Sequence, residues 1–89
     1  MQIRYTEQAE DDLRKLQRHI ANRILTKMQW FAAQSNPLVF SKQLRGHKHP
    51  SLYRFEIGDY RTVCKIEGES VSILSVLQVG DRKDIYRKL

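Results

Sequence analysis

A hairpin pattern in residues 52–66 constrains the fold of this 89-residue chain more than any other feature. Its first half alternates apolar and charged side chains, which predicts a strand with one face in a core. Gly58 and Asp59 then have the composition of a two-residue turn with glycine first, and a β-branched return strand follows. The apolar face of such a hairpin needs a second layer to cover it.

The length of the turn predicts which side chains face each other across the hairpin. With two residues in the loop, Glu56 lies opposite Arg61, and Arg54 lies opposite Val63. Arg54, Glu56 and Arg61 are therefore expected on one face, which helices need not cover, while aromatic and aliphatic residues form a core on the other. Arg82, just after the last predicted strand, can reach the same area.

The rest of the sequence predicts a small α+β domain. After a short N-terminal strand, Thr6 is a suitable N-cap, and apolar residues at helical spacing predict two helices that meet near His19. The second helix covers residues 20–34. Residues 71–79 are apolar on both faces, as expected of a central strand. We therefore expect a single domain over residues 1–89, with a two-helix hairpin on one face of an antiparallel three-stranded meander and a polar C-terminal tail.

The charge balance indicates an anionic partner. Sixteen lysines and arginines against ten acidic residues give a net charge of +6, which fits nucleic acid, an anionic membrane or an acidic protein. No apolar run approaches the roughly 18 residues of a membrane span, so no membrane association is expected. The single cysteine, Cys64, cannot form an internal disulfide, which makes a reducing cytoplasm the expected location.

The charged hairpin residues favour an anion site over a metal centre. Guanidinium groups at Arg54, Arg61 and Arg82 would suit the oxygens of a phosphodiester. Taken singly, these charges fit surface ion pairs worth less than about 1 kcal/mol, but their convergence favours phosphate binding. His47 and His49 have no third ligand of the right type nearby, so neither a metal nor another cofactor is expected. Glycine-rich phosphate loops, Ser/His/Asp arrangements and carboxylate pairs are not recognisable in the sequence.

One aromatic residue lies off the core pattern. Trp30 falls outside the apolar stripe of the second predicted helix, beside Arg23 and Lys27. It is either a contact for a partner or a cap at the edge of the core, and the sequence leaves both readings open.

Three motifs carry a resemblance to a known family. They are Leu44-Arg45-Gly46, the hairpin Tyr53-Arg54-Phe55 with Gly58-Asp59-Tyr60-Arg61, and the ending Val79-Gly80-Asp81-Arg82-Lys83-Asp84-Ile85-Tyr86. With the order of elements, they make the whole chain resemble the RelE branch of the RelE/ParE toxin superfamily. The resemblance implies a type II toxin that enters the ribosomal A site and cuts mRNA there. It also implies a cognate RelB-like antitoxin that blocks the toxin, and operator DNA binding only through the antitoxin complex.

Residue chemistry and this resemblance together give an expected site. The expected catalytic set is Arg54, Arg61, Arg82, Tyr86 and Glu56. It would promote attack of the RNA 2′-hydroxyl on the adjacent phosphorus, leaving a 2′,3′-cyclic phosphate without a metal. Relatives carry a lysine where this chain has Glu56, so Glu56 is open as the general base or as the group that holds Arg61 in place. Further expected RNA contacts are Lys42, Arg45, Lys48, Lys83 and Arg87.

Other functions remain open on the sequence alone. A ParE-like member of the same superfamily would inhibit DNA gyrase, and a plain nucleic-acid-binding module would bind RNA without cutting it. A purely structural subunit would need none of the arginines. The set of Arg61, Arg82 and Tyr86 favours the nuclease.

Overall fold

The computed structural model describes residues 1–44 and 52–83. Its elements are β1 (Gln2–Tyr5), α1 (Glu7–Arg14), α2 (Arg18–Ala33), a 3-10 turn (Pro37–Phe40), β2 (Lys42–Gln43), β3 (Leu52–Ile57), β4 (Tyr60–Glu67) and β5 (Ile73–Asp81). The strands form one sheet in the order β1-β5-β4-β3-β2. Strand β1 is parallel to β5, and all other neighbours are antiparallel. The predicted α+β fold is confirmed, with the meander β3-β4-β5 at the centre of the sheet.

The β3–β4 hairpin has the predicted register. Glu56 pairs with Arg61, and Arg54 pairs with Val63. Gly58 has a φ of 60°, and only glycines have positive φ among the described residues, so the turn is of the type that requires glycine first. The charged residues therefore fall on one face of the hairpin.

The main core lies between the helices and one face of the sheet. Its buried members are Ala9, Ile24, Met28, Phe31, Phe55, Ile57, Cys64, Leu74, Val76 and Val79. A smaller apolar cluster of Leu44, Leu52, Val63 and Leu77 is separate from this core. Since Val63 pairs with Arg54, this cluster packs beside the charged residues on the sheet face away from the helices.

A bulge in β5 places neighbouring apolar side chains of this strand in different clusters. Val63 pairs with Gln78 and Cys64 pairs with Val76, which leaves Leu77 as the extra residue. Residues two apart in a regular strand share a face. The bulge instead lets Leu77 join the smaller cluster while Val79 joins the main core.

The start of α1 covers the edge of β5 beyond the end of β1. Thr6 donates its backbone N–H to Val76 O and its hydroxyl to Leu77 O, each at 3.0 Å. Further along, Asp12 Oδ2 accepts a 2.9 Å hydrogen bond from the backbone N–H of Val79. These contacts satisfy backbone groups of β5 that have no strand beside them. The Thr6 hydroxyl also accepts from Ala9 N, which makes Thr6 the N-cap that the sequence predicts.

Three boundaries differ from the sequence prediction. The helices are separated near residues 15–17 rather than at His19, because Gln17 has an extended ψ of 145° and caps α2. The two-residue strand β2 lies between the second predicted helix and the hairpin, where the sequence predicts no strand. The last strand starts at Ile73 rather than at residue 71, because the preceding turn, with Gly68 at a φ of 98°, extends past the exposed Val71.

Within residues 1–44 and 52–83, neither helix is long and apolar enough to cross a bilayer.

Candidate phosphate-binding site

Arg54, Glu56 and Arg61 lie side by side on the sheet face away from the helices. Glu56 Oε1 is 3.6 Å from Arg54 Nη2 and 3.4 Å from Arg61 Nε. One carboxylate oxygen therefore lies between two guanidinium groups. The Arg61 side chain is only 13% exposed, whereas that of Glu56 is 42% exposed. The arginine thus packs against the sheet, and the carboxylate is the more accessible group.

The guanidinium of Arg61 is held in one orientation. Its Nη1 donates to Gly58 O and to Tyr60 O, each at 3.0 Å, while Nε faces Glu56. A donor group fixed by several partners loses little conformational entropy when it binds an anion. The Arg61 guanidinium is therefore fixed in place by these three groups before any ligand binds.

Strand β5 brings Arg82 to the same end of the sheet. Gly80 pairs with Arg61, and two residues later the backbone N–H of Arg82 donates to Asp59 O at 3.0 Å. The side chains of Arg82 and Lys83 are exposed. The chain is thus anchored beside the β3–β4 turn, and both cations point away from the core.

The surroundings of Arg82 also contain two carboxylates that sequence reasoning missed. An open depression of about 370 Å³ is lined by Asp59, Asp81, Arg82 and Lys83. The sequence did not predict that these two acids share one depression. The pairing of Tyr60 with Asp81 brings together two acids that are far apart in sequence. The register of β4 and β5 is the signal that could have shown that Asp59 and Asp81 lie close to Arg82.

Helix α2 adds another arginine at the turn. A β-carbon built on Gly58 would lie 2.5 Å from Arg23 Nη2, so the Arg23 guanidinium rests directly on this glycine. Arg23 was not among the expected site residues. Its approach depends on how α2 packs on the sheet, which spacing along the chain does not reveal.

The remaining expected RNA contacts divide into two groups. Lys42 pairs with Arg54 across β2 and β3 and is exposed, so it lies at the edge of the site. Lys83 is exposed beside Arg82. Four expected site residues lie outside the described residues: Arg45, Lys48, Tyr86 and Arg87.

The only cysteine takes no part in this site. Cys64 is fully buried in the main core, and burial raises the pKa of its thiol to about 12. A thiol that stays protonated at neutral pH is a poor nucleophile. Cys64 is therefore a structural residue of the main core.

Comparisons with known proteins identify the family of this chain. Residues 3–86 match the family described as the ParE toxin of type II toxin–antitoxin system, parDE. No curated protein sequence shows a significant match.

Three similar solved structures show how widely the fold is shared. The toxin–antitoxin complex RelBE2 from Mycobacterium tuberculosis has a TM-score of 0.74 and 25% identity, covering 91% of this chain and 96% of that chain.

Two further structures are similar in fold. The RelB–RelE antitoxin–toxin complex from Methanococcus jannaschii has a TM-score of 0.70 at 22% identity, covering 97% of this chain and 98% of that chain. The isolated RelE toxin from E. coli has a TM-score of 0.66 at 23% identity, covering 98% and 92%. Because the family match runs over nearly the whole sequence and the fold matches RelE toxins, this chain belongs to the ParE toxin family of type II toxin–antitoxin systems, within the RelE/ParE superfamily.

Proposed function

We propose that this toxin is a metal-independent endonuclease that cuts mRNA in the ribosomal A site and so inhibits translation. The observation that carries the proposal is the pair of guanidinium groups at Arg54 and Arg61, held on either side of Glu56 on an open sheet face. Two ordered guanidinium groups match the oxygens of a phosphodiester. The similarity in fold to RelE toxins supports the same reading.

In the proposed reaction, RNA supplies its own nucleophile. The 2′-oxygen forms a bond to the adjacent phosphorus, the bond from phosphorus to the 5′-oxygen breaks, and the products are a 2′,3′-cyclic phosphate and a 5′-hydroxyl. One proton leaves the 2′-hydroxyl and one is delivered to the 5′-oxygen. The protein must hold the three reacting atoms in line and stabilise the added negative charge.

Each charged residue has a separate role in binding the phosphate or in stabilising its charge. Arg54 and Arg61 bind the non-bridging oxygens of the phosphate, and Arg82 stabilises charge on the leaving 5′-oxygen. Glu56 offsets the repulsion between the two hairpin arginines and keeps them ordered. Tyr86 stacks on a base or orients the 2′-hydroxyl. The remaining basic residues hold the RNA backbone on either side of the cut: Lys42, Arg45, Lys48, Lys83 and Arg87.

The ribosome is part of this proposal because the site residues within 1–44 and 52–83 offer no obvious strong pair of acid and base. Free RNA would be cut slowly, and the ribosome would supply the alignment of the strand. A RelB-like antitoxin would neutralise the toxin in the cytoplasm, in line with the RelB complexes among the similar structures, and operator DNA would be contacted only through that complex.

Primer extension on cellular mRNA after induction of the toxin tests the proposal directly. We expect new 5′ ends within codons, and we expect Arg61→Ala or Arg82→Ala to lower cleavage by about 100-fold or more and to relieve growth arrest. Arg14→Ala is the matched control, because Arg14 pairs with Glu10 and Asp11 on α1, outside the site. A folded Arg61→Ala/Arg82→Ala variant that still arrests growth would overturn the assignment.

Inhibition of DNA gyrase is the second candidate, because the matching family is that of ParE toxins. The purified toxin would then block supercoiling by gyrase and leave a translation extract active. The nuclease predicts the opposite pair of results. A non-catalytic RNA-binding module would slow translation without new 5′ ends on the mRNA.

A further inference from the structure

The outer face of α2 carries cations that are not committed to carboxylates. The ion pairs identified among residues 1–44 and 52–83 lie on α1 or on the β3–β4 hairpin, and none involves α2. The sequence shows why this surface is unusual. Residues 13–55 contain nine arginines and lysines and no aspartate or glutamate. Helix α2 is the longest element within that stretch.

These cations border a shallow groove along the helix. The groove has a volume of about 410 Å³ and is lined by His19, Asn22, Arg23, Thr26, Lys27 and Trp30. Spacings of three and four residues place these side chains on one face of α2. Each of the six side chains can donate a hydrogen bond, and the arginine, lysine and tryptophan can only donate. The groove therefore offers donors to acceptor oxygens at the tips of these side chains, beside the apolar surface of the Trp30 ring and of the side-chain stems.

An exposed aromatic ring closes one end of the groove. Trp30 is 45% exposed. Lys27 Nζ lies 4.4 Å from the centroid of its ring, and Phe40 packs against it with 5.1 Å between centroids. A cation beside an exposed aromatic ring offers a contact for phosphate and a contact for a sugar or base.

The other end of the groove reaches the β3–β4 turn. Arg23 rests on Gly58, whose carbonyl oxygen accepts from Arg61 on the opposite side of the turn. The groove and the candidate cleavage site thus meet at this turn but lie on different faces of the molecule. A single strand in the cleavage site would not fill both surfaces, whereas a larger folded RNA around the toxin would.

We propose that the outer face of α2, from His19 to Trp30, is a second RNA-binding surface that takes the phosphate backbone of a folded, double-helical RNA. An amphipathic protein helix fits less well, because such a helix inserts apolar side chains into an aliphatic groove, whereas the described residues that line this one are basic, polar or aromatic. The proposed surface shares RNA as its partner with the proposed function, but it requires no cleavage.

The single tryptophan provides a direct assay on the full chain. Trp30 is the only tryptophan, so its emission reports on the groove. We expect titration with a fully 2′-O-methylated RNA duplex of about 16 base pairs, which cannot be cut, to change this emission in a saturable way. Unchanged emission at saturating duplex would overturn the proposal.

Charge removal then locates the contact. With a labelled duplex read by anisotropy, we expect Arg23→Ala/Lys27→Ala to weaken binding about tenfold or more and to lower the salt slope of log K by about two. Arg14→Ala/Lys15→Ala removes the same number of charges, from the last residue of α1 and its C-cap, and should change binding by less than about twofold, since neither residue lines the groove. Equal weakening by both double variants would show a mere net-charge effect and overturn the proposal.

Two further measurements distinguish RNA from an acidic protein as the ligand of the groove, and duplex binding from mRNA cleavage. Tighter binding of a polyglutamate peptide than of the duplex, lost in Arg23→Ala/Lys27→Ala, would assign the groove to an acidic protein and overturn the RNA assignment. Primer extension is scored independently. Duplex binding that depends on Arg23 and Lys27 supports this inference even if no mRNA is cut, and in that case only the proposed cleavage fails.

Discussion

At the scale of single residues, Glu56 determines how the two hairpin arginines can act. Arg54 and Arg61 lie on adjacent strands, and their like charges repel each other. The Oε1 atom of Glu56 lies within 3.6 Å of Arg54 and 3.4 Å of Arg61, so one carboxylate offsets that repulsion and orders both groups. This geometry favours a positioning role for Glu56 over that of a general base.

Glu56→Gln separates the two roles. Glutamine keeps an acceptor oxygen but cannot take a proton at neutral pH, so a positioning residue should tolerate the change with less than about a tenfold loss of rate, whereas loss of a general base costs about 10²–10⁴. The measurement is single-turnover cleavage on programmed ribosomes across pH 5–9. We expect the pH profile to keep its shape in Glu56→Gln, and we expect Glu56→Ala to be slower than Glu56→Gln. Equal, large losses in both variants with a changed profile would identify Glu56 as the base.

At the scale of elements, the hairpin and the meander β3-β4-β5 were predictable, whereas the pairing of β1 and the existence of β2 were not. A two-residue turn fixes the register of the strands it joins, so the shared face of Arg54, Glu56 and Arg61 follows from local rules. The parallel pairing of β1 with β5 joins segments about 70 residues apart and has no local signature. Strand β2 is only two residues long, too short to show an alternating pattern.

The candidate site was predictable to the same extent. The cluster of Arg54, Glu56 and Arg61 follows from the length of the turn alone. Two other features of the site can be derived only from the assembled fold. Arg23 reaches Gly58 because α2 packs across the sheet, and Asp59 and Asp81 line one depression because β5 pairs with β4. Contacts between distant segments depend on tertiary packing, which spacing within one segment does not encode.

Helix α1 has a structural role at the edge of the sheet. Asp12 is buried, and its two carboxylate oxygens accept from the Val79 N–H and from the Gln8 side chain, each at 2.9 Å. We expect Asp12→Ala to lower the free energy of unfolding by about 1–3 kcal/mol, because the buried N–H of Val79 loses its acceptor. Urea denaturation measures this change.

The neighbouring residue provides the control for Asp12. Asp11→Ala removes an exposed partner of Arg14 and should change the free energy of unfolding by less than about 0.5 kcal/mol. Equal, small effects of both substitutions would show that the edge of β5 does not depend on Asp12.

At the scale of the whole molecule, the charge is strongly segregated. Helix α1 carries Glu7, Glu10, Asp11 and Asp12, whereas residues 13–55 are free of acids. Two basic surfaces, the hairpin face and the outer face of α2, meet at the β3–β4 turn. Arginines contact this turn from both sides, Arg23 on Gly58 and Arg61 on its carbonyl oxygen. A basic protein with this layout can place one surface on a substrate strand and another on its surroundings.

The main core predicts how the whole fold responds to alkaline pH. Burial is the main cause that raises the pKa of Cys64 from 9.0 to about 12, opposed in part by its hydrogen bond with Thr62. Burial, and then the charge of the Cys64 thiolate, raises the pKa of Tyr5 from 10.0 to about 12. Both groups are neutral when protonated, so the folded state holds their protons more tightly than the unfolded state does. Their contribution to stability is complete below about pH 9 and is lost as pH rises toward 12.

Between pH 9 and 12 the free energy of unfolding should therefore fall, by up to about 1.4 kcal/mol per pH unit for each group in its window. Urea denaturation at a series of pH values measures the slope, with each variant referenced to its own stability at pH 8. We expect Cys64→Ser and Tyr5→Phe each to flatten the slope, because neither replacement ionises in this range, while other groups contribute equally to all three proteins. Parallel curves for the wild type and both variants would show that ionisation of these two core residues does not drive alkaline unfolding.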